Sequence, residues 1–458
     1  MKSYVFLGVY FLSLACLLLC MQSCSPDQQP DAAPEHYLAD SVKAEFLHAW
    51  RGYWQYARGM DDLKPVSQKG RNWYEESLLM TPVDAYDTMI LMGLENERQQ
   101  AKELICTHLN FDKNFSVKAF EINIRLLGGL LSAYQLEGDS CFLRLATDLA
   151  DRLLPVFDSP TGMPYMFVNL ATGETSGEIS NPAEIGTYMV EFGTLSRITK
   201  NKRYVEKAKR AVQALYQRRS SIGLVGTTIN VETGAWIDRS SHLGGMIDSY
   251  YEYLLKGAIL LDDTELWQMW KTSVAAVNRY LKQETNHSLW YGRTDMESGK
   301  IHRTWFGALE AFFPAVLALD KQLNFADCLW QSYFEVWQHH GLAPEMFDYQ
   351  KREVVSAYYF LRPELIESTY YLYYFTRDEK YREAGSAIFA SLKKHCKTKA
   401  GYAALKNVIT KEKSDSMESF FLAETLKYLY LLFKHPDFLD LDEIVFNTEA
   451  HLMVKDMD

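Results

Sequence analysis

The stretch LSAYQLEGDSCFLRLATDLADRLL, Leu131–Leu154, decides how this chain is read. It ends one apolar helical run, turns through Glu137-Gly138-Asp139-Ser140, and starts a second run on an aromatic, Phe142. The same plan returns in LSRITKNKRYVEKAKRAVQALY, Leu195–Tyr216, and in LYYFTRDEKYREAGSAIFASLKK, Leu372–Lys394. There the aromatics are Tyr204 and Tyr381. Four residues after each aromatic stands a small residue, Ala146, Ala208 or Gly385. One helical turn separates the two, so each aromatic lies beside a gap that admits a neighbouring helix. Recurring helical hairpins build either an open solenoid or a closed ring. Irregular insertions at Ser159–Gly177 and Gly223–Ser241 break the period. A solenoid keeps a tighter spacing, whereas a closed ring tolerates long loops on one rim. The expectation is an all-α chain, a closed α/α barrel with small β insertions. No Pro/Gly-rich linker divides the chain after Glu35, so residues 36–458 form one domain.

Composition bounds the function classes. The chain has 458 residues, 48% hydrophobic and 23% charged, enough for a large core in a globular protein. Aromatics reach 14%, with 29 Tyr and 10 Trp, which fits a packed helical interior before it fits a sugar-stacking surface. The formal net charge of −11 lacks the basic footprint of a nucleic-acid binder. At the N-terminus, Lys2 precedes an apolar stretch, Tyr4–Leu19, and MQSC at Met21–Cys24 reads as a lipoprotein processing box. The apolar run is too short to span comfortably as an uncleaved anchor. Residues 1–24 are therefore expected to be a signal segment, with Cys24 lipidated, and 25–35 a polar, Pro-rich tether. The setting implied is a secreted lipoprotein of a bacterial cell envelope, membrane-attached through that lipid and otherwise monomeric. Cys106, Cys141, Cys328 and Cys396 are too sparse for a disulfide framework. Buried free thiols are the expectation, and any bridge is left open.

Four apolar helices carry acids near their heads: FEINIRLLGGLLSAY at Phe120–Tyr134, DSYYEYLLKGAILL at Asp248–Leu261, LRPELIESTYYLYYF at Leu361–Phe375 and ESFFLAETLKYLYLLF at Glu418–Phe433. A carboxylate beside an apolar run is unfavourable unless it is paired or used. In the first, Glu121 and Arg125 share a helix face; a surface pair would contribute a few tenths of a kcal/mol, ~0.2–0.5. Their apolar flanks argue for a buried pair instead. Gly128-Gly129 costs roughly 1 kcal/mol per glycine relative to Ala, which close approach of a neighbouring helix would offset. Asp248 alone reads as a helix cap, and Glu364 and Glu367 alone as matches to a helix dipole after Pro363. Glu418 and Glu424 flank Phe420-Phe421, and VFNTEAH places Thr448 and Glu449 in a short apolar segment. Taken together they form one acidic pocket of glycosidase type, with acid and base carboxylates, an arginine and a stacking aromatic. HExxH, CxxC pairs, GxSxG and P-loops are absent from the sequence, and His339-His340 is not read as a metal site.

These segments resemble the family-47 glycoside hydrolases, the class I α-1,2-mannosidases. The likeness runs from RGYWQYARGMDDLKPVS at Arg51–Ser67, through VDAYDTMILMGL, EFGTLSRIT and GLAPEMF, to FNTEAHL at Phe446–Leu452. LEAFFPAVLAL and KTKAGYAALKNVITKEKSDSMESFF lean towards the ER degradation-enhancing mannosidase-like branch. The resemblance implies an (α/α)7 barrel, inverting hydrolysis and a bound Ca²⁺. It implies Glu121 as general acid, Glu364 as general base, Asp248 as a third catalytic carboxylate and Thr448 as the calcium contact. Arg125, Glu191, Glu252, Arg362, Glu367, Phe420, Glu424 and Glu449 would line the sugar subsite or hold calcium-bound waters. The chain departs from the family at Met246, where processing members carry Arg, at Ala308 and Ala311 for His and Cys, and at Asn123 for Thr. The expected activity is removal of terminal α-1,2-mannose from high-mannose N-glycans or mannan. The rivals are a mannose-binding, lectin-like protein of the same fold, and an α/α-barrel lyase or epimerase.

Overall fold

The computed structural model describes residues 35–285 and 288–455. The helices are α1 (Glu35–Tyr56), α2 (Met80–Asp84), α3 (Tyr86–Leu91), α4 (Glu95–His108), α5 (Ala119–Ile122), α6 (Gly128–Glu137), α7 (Ser140–Leu153), α8 (Pro182–Gly186) and α9 (Met189–Thr199). They continue as α10 (Arg203–Tyr216), α11 (Asp248–Leu261), α12 (Thr264–Tyr280), α13 (Phe313–Leu319), α14 (Leu323–His340), α15 (Glu364–Thr376), α16 (Lys380–His395) and α17 (Leu426–Phe433). The chain alternates inner and outer helices around a ring. Six consecutive pairs run α3/α4, α6/α7, α9/α10, α11/α12, α13/α14 and α15/α16, and α17 closes the circle against α1. The architecture is an (α/α)7 barrel whose seventh pair joins the two ends of the described chain.

The outer helices are amphipathic. In α7 the buried set is Phe142, Leu145, Ala146, Leu149, Ala150 and Leu153, and in α10 it is Tyr204, Ala208, Ala211, Val212, Ala214 and Leu215. Those are i, i+3, i+4, i+7 positions, one face of a helix turned to the core. Inner helices are buried nearly all round, α15 from Leu365 to Tyr373 without a break. The small residue after each aromatic does admit a neighbour. A Cβ on Gly385 would meet the Leu432 side chain of α17 at 2.2 Å.

The two rims differ because the two kinds of connection differ. Each inner-to-outer turn is short and carries one left-handed residue: Gly93, Gly138, Lys200, Asp262, Lys321 or Arg377, with φ of 52–72°. Asp139 and Asp263 then cap α7 and α12 by accepting backbone N–H groups. Most outer-to-inner connections are long and fold into antiparallel β-hairpins, while the shorter one from α4 to α5 adds a single strand, Ser116–Lys118, to the hairpin that follows. Five of them share a turn in which an Asn or Asp side chain, at 169, 230, 295, 348 or 407, accepts the N–H groups two and three residues on. Four residues after each comes another left-handed residue, Gly173, Gly234, Gly299, Arg352 or Lys411. These β-hairpins crowd the rim where the inner helices begin.

The barrel is plugged from the other side. A terminal hairpin pairs Ile444–Phe446 with Leu452–Val454, and its tip reaches into the ring. The Gly128-Gly129 pair makes room for it. A Cβ on Gly128 would meet Asn447 Nδ2 at 2.5 Å, and one on Gly129 would meet Val83 of α2 and His451 at 2.9–3.2 Å. The sequence expectation of a neighbouring helix is thus half right: the closer neighbour is the hairpin. Buried charges hold it there. Lys427 of α17 bonds Asp87 of α3 at 2.8 Å and the Ala450 carbonyl, while His451 sits between Asp84 and Asp87 at 3.1 and 3.2 Å. Burial works against charge on all of them. Lys427 and His451 nevertheless hold the Asp87 carboxyl below its ordinary range, and the two carboxylates hold the His451 imidazole above its own.

The cysteines depart from expectation. Cys106 of α4 and Cys141 of α7 form a disulfide with Cα atoms 6.0 Å apart. Ring closure makes two outer helices neighbours, which a separation of 35 residues in sequence does not reveal. Cys396 is a buried free thiol as expected, whereas Cys328 is free but exposed. The N-terminal segment, its tether and Cys24 lie outside the described residues.

Two outcomes follow from the plug. Gly128→Ala must displace an Asn447 amide already committed to two buried acceptors, and is expected to destabilise by about 1–3 kcal/mol in denaturant melts. Near-native stability would show that the hairpin yields. The His451 contribution is present in full below the unfolded imidazole value of about 6.5 and is lost as pH rises through the raised native value. Stability measured against pH is expected to fall on that alkaline side, and His451→Gln to flatten the fall.

Candidate active site

The inner helices begin at the β-decorated rim, so their N-terminal ends converge around one cavity of about 300 Å³. Carboxylates sit in the first turns, where the helix dipole favours negative charge: Glu121 on α5, Asp248 on α11, Glu364 and Glu367 on α15, and Glu424 on a π turn, Phe421–Thr425, that leads into α17. A second π turn, Asn123–Leu127, carries Arg125 between α5 and α6. Such turns re-aim side chains by one residue and recur at functional sites. The terminal hairpin supplies Thr448 and Glu449 as the floor.

Of the twelve residues expected at the catalytic, sugar and calcium positions, eleven line this cavity: Glu121, Arg125, Asp248, Glu252, Arg362, Glu364, Glu367, Phe420, Glu424, Thr448 and Glu449. Glu191 does not. It lies one layer below, fully buried, accepting from Tyr253 Oη at 2.6 Å, Asn447 Nδ2 at 2.9 Å and Asn123 Nδ2 at 3.0 Å. Its place is to hold the hairpin tip. Asn123 is part of the same clamp and also donates to the Thr187 carbonyl. Asp248 is the first helical residue and accepts only its neighbour's N–H at 2.9 Å, so it is not the helix cap.

The electrostatics are dominated by burial. Arg125 is 7% exposed. It reaches Glu121 at 3.1 Å, Asp84 at 3.4 Å and Glu449, and its guanidinium stands over the Phe420 ring. Lys256 of α11 is held by Glu252, by Glu367 at 3.4 Å and by the Asn447 carbonyl at 3.5 Å. Several carboxyls of the pit are pushed up. Burial raises Asp248 to about 6, with Glu252 and Glu121 adding to it. Burial raises Glu364 to about 8, against Arg362, and Glu367 to about 7, against Lys256. Glu424 is driven well above its ordinary range by burial and by Glu449, Glu364 and Glu367.

The backbone is strained at four places around the pit, at its rim and at its floor. Leu79, Met246, Leu361 and Ala450 are left-handed at φ 54–80°, which costs roughly 1–2 kcal/mol for each non-glycine residue. The cost is met by fixed partners: the Met246 carbonyl accepts from Ala183 N–H at 2.9 Å, and the Leu361 carbonyl from Thr425 Oγ1 at 2.7 Å. Sequence reading missed the supporting charges, Asp84, Asp87, Lys256, Lys427 and His451, and the wall pair Lys118–Glu184 at 2.8 Å. A lone lysine inside an apolar helix, as in YLLKGAILL and TLKYLYLLF, was the available signal, since it is rarely buried unpaired.

The cavity is a pit closed below and ringed by acids, an arginine and an aromatic, suited to acid–base cleavage of a polar ligand that enters from one end. Comparison with known proteins agrees. The chain matches the description "Glycosyl hydrolase family 47" over residues 45–455. It is 37% identical to the ER degradation-enhancing alpha-mannosidase-like protein 2 of Mus musculus, over 96% of this chain and 82% of that one. It is 39% identical to alpha-mannosidase I MNS4 of Arabidopsis thaliana, over 93% and 70%. An alpha-1,2-mannosidase from Trichoderma reesei superposes with a TM-score of 0.86 at 28% identity, covering 92% of this chain and 99% of that one.

These relatives correct the expected setting. They are eukaryotic proteins, and the mouse one is named for the ER, so a bacterial envelope lipoprotein is not supported. A short apolar run behind a lysine fits many export routes, and a four-residue box ending in cysteine is too short to fix which machinery reads it. Among the described residues no helix is long and apolar enough to cross a membrane. The chain is a glycoside hydrolase and belongs to glycosyl hydrolase family 47.

Proposed function

We propose that this chain is an inverting exo-acting α-1,2-mannosidase that trims terminal mannose from high-mannose N-glycans. The observation that carries the reading is the pit itself. Its floor is closed by Thr448 and Glu449, so it accepts the end of a glycan chain and not an internal segment. The alpha-1,2-mannosidase fold neighbour and the mannosidase relatives supply the sugar and the linkage.

Inversion requires one carboxyl to protonate the leaving oxygen and a second carboxylate to take a proton from water on the opposite face of the ring. Glu121 is the acid: it stands at the mouth, 22% exposed at its side chain, where the glycosidic oxygen of an inserted sugar lies. Glu364 is the base. It lines the pit from α15, and although burial raises its carboxyl to about 8, Arg362 beside it favours the ionised form that a base requires. Asp248 is the third acid, on the wall between them. Arg125 fixes Glu121 and the floor acid Glu449 at once, so the acid and the sugar seat keep one geometry. Phe420 offers a ring face to the sugar.

The donors at the floor fit a hard divalent cation. They are the hydroxyl and carbonyl oxygens of Thr448 and the carboxyl oxygens of acids lining the same cavity, while among the described residues no three acidic or histidine side chains are grouped to ligate a metal directly. Thr448, with Glu252, Glu367, Glu424 and Glu449 lining the same cavity, would hold Ca²⁺, which when bound supplies a Lewis-acidic anchor for sugar hydroxyls.

Hydrolysis of α-1,2-mannobiose followed by NMR is expected to yield β-mannose first. Glu364→Gln is expected to lower kcat by about 10²–10⁴-fold with KM little changed. A near-native rate would remove Glu364 as base, and sugar binding without release by the wild type would favour the lectin-like reading. A chelator is expected to abolish activity and calcium to restore it. Thr448→Ala should raise the calcium concentration needed for half-maximal activity at least tenfold; an unchanged calcium titration would take Thr448 out of the metal site.

A further inference from the structure

Glu310 is a buried acid, 1% exposed, that does not line the pit and has no part in the chemistry above. It lies on a short helical turn, Ala308–Phe312, ahead of α13. We infer that Glu310 is a positioning residue: it wedges the backbone turn that starts α11 and so holds Asp248 in place relative to Glu364. The inference rests on the mannosidase reading above and extends it to a residue behind the wall of the pit.

Contacts on both sides of the 308–312 turn lead to it. On one side the turn is fixed to α15, the helix of Glu364: Ser368 Oγ donates to the Ala311 carbonyl and accepts the Ala315 N–H at 3.0 Å. On the other side it meets Gly244-Gly245, residue against residue. A Cβ on Gly244 would meet Glu310 Oε1 at 3.1 Å and Cγ at 3.4 Å, and one on Gly245 would meet Leu309 Cδ1 at 2.9 Å. A Cβ on Gly307 would meet the same Oε1 at 3.6 Å, so the carboxyl lies between two glycines. The Gly244 carbonyl accepts the N–H groups of Ile247 and Asp248, each at 3.1 Å. The Gly244 N–H donates to His242 Nδ1 at 3.1 Å, and His242 Nε2 bonds Thr227 Oγ1 at 3.2 Å. A line of contacts thus runs from α15 through Ser368, Glu310 and Gly244 to Asp248.

The wedge works as an uncharged group. Glu310 Oε1 has no hydrogen-bond partner among the described residues, a position far less unfavourable for a carboxylic acid than for a carboxylate. Burial raises the carboxyl to about 8, against Arg293 and a backbone bond from Gly307, with Asp248 adding to it. The groups that face it are Arg293 of the strand Arg293–Asp295, Asp248 of α11, Tyr333 of α14 and Tyr349 after the strand Met346–Asp348. His242, across Gly244, is kept neutral by burial, its imidazole lowered to about 3. α13 and the strand Trp305–Gly307 also pack on the turn and carry no titratable side chain. α15 meets the turn through Ser368, while its acids Glu364 and Glu367 line the pit. Ionisation of Glu310 would therefore set a second buried negative charge near Asp248 and against the Gly244 backbone.

The test follows kcat for α-1,2-mannobiose against pH, per mole of folded enzyme. Glu310→Gln keeps the wedge and cannot ionise. It is expected to keep at least about half of the wild-type kcat near about pH 6, and to lose about threefold less activity than the wild type between there and about pH 9. Glu310→Ala removes the wedge and is expected to lower kcat about tenfold near about pH 6 with KM little changed. A Glu310→Ala enzyme with wild-type kcat, or a Glu310→Gln profile that superposes on that of the wild type, overturns the positioning role. Should Glu310→Ala fail to fold, the Glu310→Gln profile decides alone. The wild type tests the underlying reading separately: turnover by the wild type with either overturning result rejects the role of Glu310 alone, whereas absence of released mannose rejects the mannosidase reading and this role with it.

Discussion

The structure depends on burying a hairpin, Ile444–Phe446 paired with Leu452–Val454, inside the ring. The tip of the terminal hairpin lies where the seven inner helices would otherwise enclose an empty axis, and it is polar. Asn447 alone bonds the Ile124 carbonyl and Glu191, and accepts the N–H groups of Glu449 and His451. A buried polar tip of this kind is unfavourable unless every group is answered. The answers come from several different hairpins of the ring, through Asp84, Asp87, Glu191, Tyr253, Lys256 and Lys427. The plug therefore ties together helices from different sides of the ring. Its tip is also the floor of the pit, so the device that closes the barrel is the one that gives the site its depth.

The site inherits its electrostatics from that arrangement. Inner helices all start at one rim, and their first turns place carboxylates there. So many acids in a small buried space repel each other, and two buried cations, Arg125 and Lys256, answer part of the charge. The rest remains as raised carboxyl values at Asp248, Glu364, Glu367 and Glu424. The same burial that makes the acids unfavourable for folding makes them useful in chemistry, since it moves them towards neutral pH. The long β-hairpin connections follow from the same geometry. Insertions at the rim where inner helices begin shape the mouth without touching the packed ring.

Much of this was legible from particular residues. The aromatic and small pairs Phe142/Ala146, Tyr204/Ala208 and Tyr381/Gly385 marked outer helices, because packing imposes a one-turn spacing. Acids at the heads of apolar helices marked the pit, because burying them is unfavourable unless they share a partner or a purpose. The shared β-turn at positions 169, 230, 295, 348 and 407 went unread, since one Asx and one left-handed residue in loops of unequal length give a faint repeat, and two of the left-handed residues are Arg352 and Lys411. Glu191, which the family resemblance placed at the sugar subsite or the calcium-bound waters, does not line the pit and lies beneath it, because a matched string says nothing about depth.

By itself the sequence determined the class of each element, the hairpin repeat and the inventory of acids, for these follow from local periodicity and from the physical chemistry of single side chains. Only the tertiary structure decided who meets whom. It joined Cys106 to Cys141, set Gly128 against the terminal hairpin rather than a helix, paired Lys427 with Asp87 across 340 residues and placed Glu310 against Gly244. Those meetings are products of ring closure, a global constraint that no local pattern of residues records.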